Sequence, residues 1–203
     1  RESQEDYDNA FKMHSAYYTD LLNSNYPGMM SSDQVRSVDA IRTEIENIRA
    51  AWTWAVNKRN WVDVEKSMNG FIVYLEITGH YADGLEVFSK ALEKLNSRPA
   101  PELEWLQTNI KLRVAWMQFC IGDHPSGIQK LQEVLDKFSQ LGARLEIGIT
   151  YYFISKANDR LNLPLLAIEQ AEKGLLIFRD EQFSGQRHVR SLTAHLLEVY
   201  GLA

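Results

Sequence analysis

The sequence predicts an all-α protein built as a stack of antiparallel helix hairpins with a repeat length near 40 residues. Three observations carry this reading. Residues Trp61 to Leu95 read as two amphipathic helices joined at Gly79-His80. Gly79, Gly122, Asn162 and Gly201 each follow a helical-looking segment, at intervals of 43, 40 and 39 residues. After the first three of these turns the apolar positions fall into columns: Leu85, Ile128 and Ile168; Phe88, Leu131 and Ala171; Leu92, Leu135 and Leu175; Leu95, Phe138 and Phe178. Offsets of three and four place each set on one helical stripe, which only a neighbouring helix can cover.

Composition sets the bounds. The 203 residues are 45% apolar with five prolines, enough to bury a substantial core in one elongated domain. A formal charge of -5 gives no general field for nucleic acid, so direct nucleic-acid binding is not expected. The apolar runs are too short to cross a bilayer, and no membrane partner is expected. A lone Cys120 can form no internal disulfide and fits a reducing compartment. Arg1 at the start and Gly201 after an unpartnered helix suggest a piece of a longer polypeptide.

In chain order, residues 1–60 read as N-terminal helices that cap or adapt the array, continuous with repeats over 61–203. The first helix spans about Glu5 to Asn23, with Phe11, His14, Tyr17, Tyr18 and Leu21 on one stripe, and Pro27-Gly28 interrupts the chain after it. One long helix follows from about Ser32 to Lys58, where Val35, Val38, Ile41, Ile45, Ile48, Trp52 and Ala55 recur every three or four residues. Arg59-Asn60 breaks it before Trp61.

The second hairpin runs from Pro101 to Leu141, with Asp123 capping its second helix and Pro125 in that helix's first turn. In the third, Ala143 to Asp180, Asn162 replaces the turn glycine, and asparagine tolerates the left-handed conformation. Leu161, Leu163, Leu165 and Leu166 make this turn unusually apolar, either to meet a neighbouring domain or to fold tightly on itself. Gly84, Gly127 and Ala167 leave room for close helix approach just after each turn. A final helix, Gly185 to Tyr200, carries Val189, Leu192, Leu196 and Val199 on one side.

No motif for chemistry stands out. A phosphate loop, a paired-cysteine metal motif and a nucleophile elbow are all missing from the sequence. No catalytic residue, cofactor or metal site is assigned, and an enzyme is not expected. The candidate interaction surface is His80, Tyr81, His124, Tyr151 and Tyr152. His80 and His124 adjoin turns that face one edge of a stacked array, and one of the two adjacent tyrosines faces inward while its neighbour points away. Surface or packing roles are the simpler alternative for these side chains. Trp61, Phe71, Tyr74, Trp105 and Trp116 read as core, with an aromatic-lined groove as the alternative. Cys120, in the stretch AWMQFCIG, reads as a buried thiol acting as a small hydrophobe.

The stretch EIENIRAAWTWAVNKRNW, Glu44 to Trp61, and then GHYADGLEVFSKALEKL, Gly79 to Leu95, resemble the helical sensor region of bacterial STAND-class signal-transduction ATPases. They are similar also to the tetratricopeptide-like regions of LuxR-type and maltose-regulator-like transcriptional regulators. The specific points are Glu46-Asn47 before Ile48-Arg49-Ala50-Ala51, then Trp54-Ala55, and the later Gly79, Tyr81 and Gly84. The resemblance covers about Ala40 to Leu95, and the repeats here exceed the usual tetratricopeptide length of about 34 residues. It implies a tetratricopeptide-like, right-handed stack that binds a protein, a peptide or a small effector and relays this to neighbouring domains. Neither an ATP-binding loop nor a DNA-binding module is present in the chain. The expected function is therefore a noncatalytic protein-interaction or sensor domain of a signalling or transcriptional regulator, with a small-molecule effector-binding domain as the alternative.

Overall fold

The computed structural model describes residues 4–201, and among these every regular element is helical. None of the described helices is long and apolar enough to cross a membrane. The chain divides into two compact units, Arg1–Asp83 and Gly84–Ala203.

In the first unit α1 (Gln4–Met29) packs against α2 (Gln34–Thr43), α3 (Ile45–Lys58) and α4 (Trp61–Ile77). Two glycines mark how closely. A β-carbon on Gly70 would meet the Leu22 carbonyl oxygen at 2.7 Å, and one on Gly28 would run into the Ser37 hydroxyl. Leu22, Met29, Ile41, Ile48, Phe71 and Leu75 fill the core, with Trp52 edge-on to Phe71 at 5.4 Å between ring centres.

Two boundaries differ from the sequence reading. The first helix continues through Pro27 to Met29 instead of ending near Asn23. A proline in the last turn forfeits little of the helical ladder, and the extra turn buries Met29 completely. The long helix over residues 32–58 is two helices, broken at Glu44 (φ -111°, ψ 10°). Its carboxylate accepts hydrogen bonds from the Tyr18 hydroxyl at 2.9 Å and the Asn47 amide at 2.7 Å. These bonds hold the carboxyl below its ordinary pKa, Asn47 contributing most and Tyr18 next. Val35, expected on the apolar stripe, is 75% exposed at the start of α2. Arg59, at φ 57°, ends α3, and the Asn60 side chain then accepts from the Asp63 backbone N–H to cap α4.

α5 (Tyr81–Asn96) begins in the first unit and lies mostly in the second. A 3-10 turn at Pro101–Leu103 leads into α6 (Glu104–Cys120), which packs on α7 (His124–Leu141). The pair α8 (Arg144–Arg160) and α9 (Pro164–Phe178) follows, then the short α10 (Glu181–Ser184) and α11 (Arg187–Tyr200), which rests on both α8 and α9. Asp123 caps α7 by accepting from the Ser126 N–H, and Pro125 sits in the first turn. Gly79, Gly122, Asn162 and Gly201 all adopt positive φ, between 57° and 105°.

The close approach expected at Gly127 is present, since a β-carbon there would fall 2.8 Å from the Phe119 backbone nitrogen. At Ala167 the backbone carbonyl accepts the Ser155 hydroxyl at 2.8 Å, tying α9 to α8. Val189, Leu192 and Leu196 are buried from α11. The backbone of the apolar turn before α9 is closed by hydrogen bonds from the Asn162 and Leu163 N–H groups to the Asp159 and Asn158 carbonyls, both 2.9 Å, while Leu163, Leu165 and Leu166 are exposed, Leu165 by 82%.

Candidate functional site

A row of aromatic and imidazole rings runs through the second unit. His124 lies 4.6 Å from Phe119, Phe119 stacks on Trp116 at 5.6 Å, and Trp116 meets Phe153 at 5.1 Å. Phe153 is edge-on to Tyr152 at 5.3 Å, and Tyr152 stacks loosely on His195 at 6.2 Å. The row draws on four helices, α6, α7, α8 and α11, and Trp116 at its centre is wholly buried.

Helix α8 adds charge to this row. Tyr152, Lys156 and Arg160 are spaced at four-residue intervals and so share one face. The Lys156 ammonium lies 5.3 Å from the Trp116 ring centre and 5.4 Å from that of Tyr152. The Arg160 guanidinium lies 4.9 Å from Trp116. Cations held over aromatic faces in this way are attracted by the ring quadrupole, each by roughly 0.5–2 kcal/mol. Lys156 also donates to the Tyr152 hydroxyl at 3.3 Å, and that hydroxyl is 3.3 Å from Nδ1 of His195. The tautomer of His195 sets the direction of that last bond, and the three side chains Lys156, Tyr152 and His195 stand in one hydrogen-bonded row.

Beside this chain is a cavity of about 290 Å³ with Tyr152, Lys156 and His195 on its wall and Asp159 and Glu198 at its margin. The Ser155 hydroxyl is engaged by the Ala167 carbonyl. The cavity thus offers an aromatic wall, two side chains able to donate and two carboxylates, a lining suited to a polar ligand with an aromatic or apolar part.

The sequence-derived candidates separate. Tyr152 belongs to the row and is buried, whereas Tyr151 faces away from it, under the Lys173 ammonium at 5.8 Å. His124 ends the row, part-exposed at the start of α7. His80 is exposed and exchanges a 2.8 Å hydrogen bond with the Thr78 hydroxyl, and Tyr81 follows it, part-exposed, at the start of α5. Both of these belong to the first unit, whereas His124, Tyr151 and Tyr152 belong to the second.

Sequence reasoning misses Lys156, Arg160 and His195 as site residues. The four-residue spacing of Tyr152, Lys156 and Arg160 is visible in the sequence, but the convergence of Trp116 and His195 on that face is tertiary. Cys120 also differs from expectation. It is part-exposed, and Arg160 approaches its sulfur to 3.0 Å, which is a polar surrounding for a thiol. At the start of α11, where Arg187, His188 and Arg190 follow closely in sequence, Arg190 donates to the Ser184 and Gly185 carbonyls, and the side chain of Arg187 lies outside the described residues.

No family model, curated protein or solved structure matches the chain. The functional reading rests on the site itself.

Proposed function

We propose that the chain is a noncatalytic recognition domain, a tetratricopeptide-like stack whose Trp116–Tyr152–His195 row binds a segment of a protein partner within a larger signalling or transcriptional regulator of the cytoplasm. The observation that carries this is the Lys156 ammonium over Trp116 and Tyr152 and the Arg160 guanidinium over Trp116, beside a cavity, on residues drawn from α6, α8 and α11. Trp116 and Tyr152 are buried within the chain, so a partner meets the part-exposed Lys156 and the exposed Arg160 and His195, which the rings beneath hold in position, and groups held in place before binding lose less freedom on binding.

The repeat architecture has its own support. The four turn positions share the left-handed conformation. The column Phe88, Leu131 and Ala171 and the column Leu95, Phe138 and Phe178 are fully buried, while Leu85, Ile128 and Ile168 are all part-exposed. Residues at matching places with matching burial are what stacked copies of one unit produce.

A second reading, a small-molecule effector domain, is favoured by the mixed lining of the cavity, the Tyr152 ring beside Lys156 and His195, in a volume of about 290 Å³ that suits only a small ligand. In either case binding shifts neighbouring domains only through a difference in affinity between their two arrangements.

Selection of peptides by display on the intact chain, followed by calorimetry against Tyr152→Ala and Lys156→Ala, tests the proposal. Selected peptides are expected to lose most of their affinity for both variants. Peptides that bind the wild type and the variants equally would place recognition elsewhere. A thermal-shift screen of small anions and aromatic acids separates the second reading, since a true effector stabilises the wild type and not Lys156→Ala.

A further inference from the structure

A second concavity in the second unit, of about 340 Å³, differs in chemistry from the ring row. Its floor is aliphatic, with Leu92 from α5, Val114 from α6 and Val134 from α7. Its rim is cationic, with Lys111 from α6 and Lys130 and Lys137 from α7, in a chain whose net charge is -5. One acid, Glu133, shares this rim and accepts a hydrogen bond from Gln129 at 2.9 Å, and Glu104 pairs with Lys137. Lys130 donates to a neutral group, the Gln118 amide oxygen, and Lys111 is exposed.

Spacing along α7 narrows the occupant. Lys130, Val134 and Lys137 stand at i, i+4 and i+7, so the two lysine side chains leave the helix about 10 Å apart along its axis, with the valine between them. A second helix laid along α7 presents the complementary set when one leucine is preceded and followed, three or four residues away, by glutamate or aspartate. The leucine fills the floor between Leu92, Val114 and Val134, and its flanking carboxylates reach Lys130 at one end and, in place of Glu104, Lys137 at the other.

We infer that this groove docks an acidic amphipathic helix of a partner protein, with a single leucine as its anchor and carboxylates one turn to either side. The groove shares no lining residue with the Tyr152 cavity, so the inference goes beyond the proposed recognition row and stands or falls separately.

Fluorescence anisotropy tests it on the whole 203-residue chain. The probe is a labelled alanine-based helical peptide with one central leucine and glutamates three and four residues before and after it. Saturable binding that weakens as salt is raised is expected, and replacing the glutamates by glutamine should lower affinity by about tenfold or more. The double charge reversal Lys111→Glu with Lys130→Glu should weaken the glutamate peptide similarly and strengthen binding of a lysine counterpart. No saturable binding to the wild type, or equal binding of the glutamate and glutamine peptides, overturns the inference. The peptide substitutions leave the protein untouched, so the comparison of the two peptides decides the matter even if the double variant does not fold. Arg160→Ala, at an exposed side chain of the ring row, should leave glutamate-peptide binding unchanged, whereas loss of binding in that variant would assign the peptide to the ring row and overturn the groove.

Discussion

The β-carbon that Gly127 lacks would lie 2.8 Å from both the backbone nitrogen and the α-carbon of Phe119. Main-chain atoms inside α6 cannot swing aside, so Gly127→Ala must push α7 away from α6. The expected cost is about 1–3 kcal/mol, read from denaturant unfolding as a lower midpoint at unchanged slope. Gly84→Ala offers the contrast, because the atoms it meets are the flexible end of Met117. Its loss of stability should be clearly the smaller.

Asn60→Ala removes the side chain that accepts from the Asp63 N–H at the start of α4. A lost cap of this kind costs about 1 kcal/mol. Hydrogen exchange should report faster opening in the first turn of α4, with little change across α7. Equal protection of that turn in both proteins would show that the cap contributes nothing there.

Burial pushes the His188 imidazole below its ordinary value of 6.5. The folded chain then holds it neutral at pH values where the unfolded chain already binds a proton. Its contribution to stability is full above the unfolded value and is lost as pH falls from there through the folded value. The carboxyls of Asp123 and Asp180 are also held low, by the hydrogen bond from Gln118 first in one case and by the Gln182 backbone N–H first in the other. Their stabilisation persists above the ordinary carboxyl range and disappears at more acidic pH. Thermal melts should therefore show two separate losses on acidification, and His188→Gln should abolish only the upper one.

Tyr18 ionises above its ordinary value, mainly because its hydroxyl is engaged by Glu44, with desolvation adding to the effect. In Glu44→Gln the phenol should titrate at lower pH, nearer an unhindered tyrosine, as followed by NMR of ring-labelled tyrosine. An unchanged titration would break the link between the two side chains.

Much of the second unit was legible from period and punctuation. The stripes through Leu131, Leu135 and Phe138, and through Ala171, Leu175 and Phe178, are simple 3.6-residue patterns, and a turn glycine or asparagine stands where the chain reverses. The break at Glu44 was hidden because the apolar repeat runs straight across it, from Ile41 through Ile45 to Ile48. What marks the break is a hydrogen bond from Tyr18, 26 residues away, and local periodicity carries no information about such a partner. The site was half legible for the same reason. Tyr152 could be singled out on α8, but its companions Trp116 and His195 come from other helices, and only packing brings them together.

Cys120 is the chain's only cysteine, and it stands one helical turn after Trp116 with Arg160 at its sulfur. A maleimide dye would thus attach at a single defined point beside the ring row, close enough to the indole for its emission to report rearrangement there. The natural sequence already supplies the labelling handle that an optical titration of this face requires, with no residue replaced.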